Sequence, residues 1–455
     1  MPGVQEPFNR GVALLHSFAY TAAQNAFRGV SELDPQCAMA HWGMAMTYFQ
    51  QLWDPPLSSA TISMAQKEIQ RAGQLGAGSE RERQFIHALG LIYQDAATVP
   101  YQTRALNYEH AMSVLAAENK RDVEARVFYA LALLANASPA DKTHAKQKQA
   151  ADLLEQLDRT HREHPGIPHY LIHACDNAEL APRGLPAARA YSRIAPSAPH
   201  ALHMPSHIFT QLGLWEDSIA SNLAAMKSAH QQGDIGEELH AMDYLVYAYL
   251  QSGRDQDAIE VIQQLKNMPN LDVGDFKIAY ASTAMPVRYA VERGQWTDAV
   301  GIVPPRGTPP HVVAIAAWAR GIGFARSGRV TEARAEMDRL RQIEQQLRTS
   351  GDDYWATQVE ILAREVAAWV AQTDGKPDKA AGLMRASADQ EDAIEKLPVT
   401  PGPIVPAREQ LGSLLLEQNH PAVALKEFRI ALANAPGRRG ALQGAARAAH
   451  LSSQK

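Results

Sequence analysis

Cysteine is almost missing from this sequence. The two that occur among 455 residues, Cys37 and Cys175, lie far apart and in no CxxC spacing, so no disulfide framework staples the chain. A surplus of one charge is missing too. Lys and Arg number 44 against 49 Asp and Glu, a formal net charge of -5. That balance leaves no basic footprint for nucleic acid and no basic run for a membrane surface. No stretch of about 18 apolar residues occurs. The opening MPGVQEPFNRGVALLHSF lacks a basic segment followed by a long apolar one, as a secretory leader would require. From these absences we expect a cytoplasmic chain with neither nucleic-acid nor membrane partners. The motifs of common chemistries are also absent: GxSxG, the phosphate-cradling GxxxxGK with Ser or Thr, GxGxxG after a strand, and HExxH. No β-alternating run of convincing length appears, which points to an all-α fold.

What the sequence does have is repetition. Near the carboxyl end Gly412, Ala424, Phe428, Ala431 and Pro436 follow one another at intervals that recur near the amino end in Gly11, Ala23, Phe27, Val30 and Pro35. These match positions 8, 20, 24, 27 and 32 of a 34-residue helix-turn-helix unit, and the chain resembles the tetratricopeptide repeat (TPR) family. The residue types have physical reasons. Position 8 is small where helices A and B of one unit approach, position 20 is small where helix B meets its own helix A, and the proline ends helix B. Turns follow at Gly213, Gly253, Gly294, Gly328, Gly375 and Asn419. The expected architecture is a TPR-like superhelix of antiparallel helical hairpins around a concave groove, one array over residues 1–455. Its clearest repeats are 4–37, 199–232, 239–272, 314–347 and 405–438, with degenerate helical repeats over 50–165.

The repeat frame gives meaning to a cluster of histidines. In PHALHMPSHIF, His203 and His207 fall at positions 5 and 9 of helix A, and His169 and His173 in PHYLIHACDNA fall at the same positions one repeat earlier. The resemblance implies that positions 5 and 9 face the groove, so two i, i+4 pairs on adjacent helices would face the same part of it. Such pairs can grip one ion. The preferred shell is His173, His203 and His207, with His169 or Asp176 as the fourth member. Asp176 can also serve as the partner that orients an imidazole. Imidazole-rich sites without thiolates suit copper, zinc or iron, with copper first in affinity. His200 is set apart, because Gly166 stands one repeat before it. Pro205 either kinks helix A or begins it.

Along the frame, positions 5 and 9 become Asp243 and Tyr247, Ala284 and Arg288, Trp318 and Ile322, Glu365 and Trp369, and Glu409 and Ser413. Asp243, Tyr247 and Glu409 are the candidate catalytic groups. His16, His41, His240, Arg288, Trp318 and Glu365 are further groove residues, although His41 sits at position 4, where a core residue is normal. Cys175 should point into the core, and His161 and His164 should be solvated at a helix end. The expected function is a metalloprotein, a metal-dependent enzyme performing oxidative or hydrolytic chemistry on a small molecule. The alternative is a non-catalytic module that binds an extended peptide in the groove.

Overall fold

The computed structural model describes residues 3–52 and 57–454. Among the described residues every regular element is a helix, arranged as the antiparallel hairpins of a TPR-like array. The chain divides into two compact units, Met1–Ile208 and Phe209–Lys455.

Each of the six turns foreseen in the sequence is closed in the same way. Gly213, Gly253, Gly294, Gly328 and Gly375 have φ of 68, 81, 63, 76 and 74°, and Asn419 takes the same left-handed conformation at φ 62°. The residue after each turn donates its N–H back to a carbonyl five positions earlier: Leu214 to Phe209, Arg254 to Tyr249, Gln295 to Ala290, Arg329 to Phe324, Lys376 to Ala371 and His420 to Leu415, at 2.8–2.9 Å. Glycine fits because it alone reaches positive φ without a Cβ penalty, and asparagine is the commonest substitute. Helix starts are as explicit in places. Ser79 and Glu82 form a reciprocal capping box, and Asp122, Asp234, Asp275 and Asp352 cap the helices that follow them, each satisfying an N–H that helix geometry leaves over.

The two ends of the chain share one packing device. Phe27 is fully buried, and a Cβ on Gly11 or on Gly43 would come within 2.8 and 2.5 Å of its ring. Phe428 stands in the same relation to Gly412 and Gly444, at 2.7 and 2.3 Å. In both cases a phenylalanine at position 24 fills the space that two glycines leave open, one at position 8 of its own unit and one in the following helix.

Within the second unit the last hairpin returns to the first. Trp215 donates its indole N–H to the carbonyl of Gly437 at 3.1 Å, and the Arg439 N–H donates to Gln251 Oε1 at 2.9 Å. Arg438 is wholly buried. Its Nε donates to Glu409 Oε2 at 2.7 Å, Nη2 to Glu292 Oε1 at 2.8 Å, and Nη1 to the Tyr247 hydroxyl at 3.2 Å. Charge-assisted bonds of this kind repay the desolvation of a buried guanidinium only because several acceptors converge on it.

Candidate metal centre

In the first unit, the nine-residue helix Gly166–Ala174 carries His169 and His173 one turn apart. Its first residue has no room for a side chain: a Cβ on Gly166 would lie 2.6 Å from His16 Nδ1 and 2.9 Å from Val127 Cγ1. The end of helix Gln5–His16 therefore packs against it, and His169 Nδ1 donates to the main-chain carbonyl of His16 at 2.6 Å. A carbonyl can only accept, so Nδ1 of His169 holds the proton and Nε2 of the neutral ring presents its lone pair. Burial, followed by the neighbouring imidazoles of His173 and His200, pushes His169 well below the usual histidine range and keeps it neutral. That lone pair faces two other rings: Nε2 of His173 and Nε2 of His200 are each 3.2 Å away.

The second pair is built differently. Helix Pro199–His203 stops at Met204, and a new helix, Pro205–Gln211, starts at Pro205. At a first helical position the missing proline N–H costs nothing. Across this break His203 Nε2 and His207 Nε2 are 3.0 Å apart. Behind His207, Nδ1 donates to Asp176 Oδ2 at 2.8 Å, which turns Nε2 toward His203. The ring centroids are 4.9 Å apart in both i, i+4 pairs. Between the pairs, His173 and His207 centroids are separated by 6.2 Å, and His200 and His203 by 6.4 Å.

The structure thus brings His169, His173, His203 and His207 together and adds His200. His200 does not stand apart from the set. Its Nε2 touches that of His169, because three residues before His203 on a helix is the same face, whether or not the preceding repeat has a histidine to match. Asp176 lies behind His207 and orients it. Phe18 carries no sequence signal, yet it walls the cluster, its ring 4.4, 5.8 and 5.5 Å from those of His169, His173 and His200. It does so from a left-handed backbone, at φ 55°.

Other residues depart from the sequence reading. His164 is not left to solvent: its Nε2 meets Glu124 Oε1 at 3.1 Å, and Glu124 Oε2 takes Nε2 of His16 at 2.7 Å. Burial raises Glu124, but the two imidazoles outweigh it and hold the carboxyl below its usual range. Burial lowers His16 in turn, and its Nδ1 meets the Tyr170 hydroxyl at 3.0 Å. His16 thus supports the cluster through its carbonyl. His41 is only half-buried and bonds Glu68 at 2.7 Å. Cys175 does point inward, and burial raises its thiol to about 12.

In the second unit positions 5 and 9 are mostly buried, and Ile322, Trp369, Glu409 and Ser413 among them also line a cleft. Asp243, Arg288, Trp318, Ile322, Glu365, Trp369 and Glu409 are all buried, as is His240, whose ring meets Tyr244 edge-on. The cause is readable in YASTAMPV and AIAAWARGIG, whose small residues let neighbouring helices approach closely. Trp318 donates to Glu365 at 2.6 Å and Trp369 to Gln410 at 3.1 Å. Asp243, Tyr247 and Glu409 belong to one buried network. Arg288 lies over the Tyr247 ring at 4.8 Å with its Nε 3.8 Å from Asp243 Oδ1, and Arg438 links Tyr247 to Glu409. Burial raises Asp243 to about 6, against the pull of Arg288. Neither carboxylate oxygen of Asp243 has a hydrogen-bond partner among the described residues. Beside this network a cleft of about 760 Å³ is lined by Trp296, Arg326, Trp369, Glu409, Arg439 and Arg447, among others.

No family model matches the chain, and no curated protein matches it. Among solved structures it is similar to the P58(IPK) TPR domain, at 12% identity over 99% of both chains and a TM-score of 0.24. It is also similar to a monomeric IFIT1 mutant with Gppp-AAAA, at 12% identity over 96% of this chain and 95% of that one, TM-score 0.40. A third is yeast Tom70, at 10% identity over 100% and 96%, TM-score 0.30. Likeness at that level does not extend to ligand or activity. Among the described residues no helix is long and apolar enough to cross a membrane.

Proposed function

We propose that the chain is a metalloprotein whose histidine cluster in the first unit binds a transition-metal ion, and that the bound ion acts on a small molecule. The observation that carries this reading is His169. Its proton is committed to the His16 carbonyl, so its single in-plane Nε2 lone pair faces two imidazole nitrogens at equal distance. One lone pair cannot accept two well-aligned hydrogen bonds. It can be one corner of a metal shell. Imidazole nitrogens about 2.0–2.1 Å from one ion lie about 3.3 Å apart at tetrahedral angles, close to the 3.2 Å separations here. His169, His173 and His200 would be the ligands, the His16 carbonyl the group that orients one of them. The all-nitrogen set favours copper, then zinc or iron. Three protein ligands leave a position for water or substrate, which suits oxidative or hydrolytic chemistry.

Elemental analysis of protein purified without a histidine tag tests the proposal. We expect at least one stoichiometric first-row metal ion per chain, and one ion fewer in His173→Ala and in His200→Ala. Protein that holds no such metal and takes none up when copper, zinc or iron is supplied overturns it. The second reading, a module that binds an extended peptide, is favoured by the cleft of the second unit; peptide binding that is indifferent to metal and to these variants would support it instead.

A further inference from the structure

We propose that the five imidazoles form two adjacent metal sites, one of His169, His173 and His200 and the other built on His203 and His207, so that the centre is dinuclear. This rests on the reading of the cluster as a metal centre and asks how many ions it takes. A tetrahedral shell has four corners, and five imidazoles gather here, more than one such ion can take. The rings also sort themselves. His169 Nε2 lies 3.2 Å from Nε2 of both His173 and His200, and the ligand nitrogens of these three lie within 4.8 Å of one another, while His203 Nε2 lies 3.0 Å from Nε2 of His207.

Each set has its own fixed member. His169 is locked by the His16 carbonyl at 2.6 Å and His207 by the Asp176 carboxylate at 2.8 Å. In both, the acceptor takes the Nδ1 proton and turns Nε2 toward the partner ring. A carboxylate behind a ligating imidazole is the usual outer partner at metal sites, where it fixes the ring and raises its basicity. A single ion would need one such anchor. Two anchors of different chemistry, on two pairs that occupy equivalent positions 34 residues apart, fit two ions. The second site draws only two imidazoles from this unit, and a coordinated water or bridging small molecule can complete its shell. Ions of nitrogen-preferring first-row metals, copper first, are the class it would take.

The test is a titration of chelator-stripped, full-length protein with copper(II) sulfate, unbound metal being removed on a desalting column and copper per chain measured by mass spectrometry. We expect two copper ions in the wild type, one in His207→Gln, one in His200→Gln and none in the double variant, with far-UV circular dichroism showing that each is folded. Asp176→Asn should keep both sites and weaken one of them ten- to a hundredfold. Saturation of the wild type at one ion overturns the dinuclear centre whatever the variants do. If that ion is lost in both single variants, the metal reading itself still stands. Two ions retained in His207→Gln place the second elsewhere and also overturn the proposal. No copper in the wild type removes this inference and the metal reading together.

Discussion

Glu365 shows what a single side chain does in so dry an interior. It is buried, and burial outweighs the hydrogen bonds from Gln410 and Trp318, raising its carboxyl to about 8 from an ordinary value of 4.5. The folded state therefore holds a proton that the unfolded chain releases between pH 4.5 and 8, and stability falls as pH rises through that window, by up to about 1.4 kcal/mol per unit. Glu365→Gln keeps an oxygen to accept from Trp318 and cannot ionise. Its melting temperature should match the wild type near pH 5 and exceed it at pH 8–9; an equally steep decline in the variant would refute this account. At this scale the sequence was only partly readable. Spacing alone brought out His169, His173, His203 and His207. His200 was lost by demanding a copy one repeat back, and Phe18 offered nothing to read because its contact with the cluster depends on tertiary packing.

The elements of this chain are positioned by missing side chains as much as by those present. Gly412 touches Phe428 where any Cβ would overlap the ring at 2.7–2.9 Å, whereas Gly382, inside helix Pro377–Asp392, has nothing within 4 Å. Gly412→Ala should lower stability by about 1–3 kcal/mol, the typical cost of overpacking. Gly382→Ala should raise it by up to about 1 kcal/mol through helix propensity. Chemical denaturation of the two variants checks both, and similar effects would mean that propensity, not packing, governs Gly412. The turns were legible because left-handed geometry narrows the choice to Gly and Asn, which mark their places in the sequence. The depth of burial along the groove was not legible, because the repeat frame fixes which way positions 5 and 9 point and is silent about how tightly successive hairpins close over them. That depends on the Ala-rich faces of the helices carrying Ala284 and Trp318.

On the scale of the whole molecule, the second unit departs most from a simple stack of repeats, in which each hairpin touches only its neighbours. Arg438 reaches from the last hairpin to Tyr247 in the first, a sequence separation of 191 residues, and Trp215 reaches Gly437 across 222. Arg438→Ala strands Glu409 and Glu292 as buried carboxylates and should cost about 3–5 kcal/mol, measured as a lowered denaturant midpoint. A loss below about 1 kcal/mol would show that the clasp is not structural. No motif announces it, since a buried arginine reads in sequence like any surface one. The clasp also bears on when this unit can fold. A chain of locally contacting repeats gains structure as it lengthens, and loops closed between neighbours cost little entropy. Here the contacts that complete the unit wait for residues made about 200 positions after their partners, so a ribosome-bound intermediate can have most of its helices and still lack the arginine that neutralises two of its interior acids. Such a nascent unit should be protease-sensitive until synthesis passes residue 438.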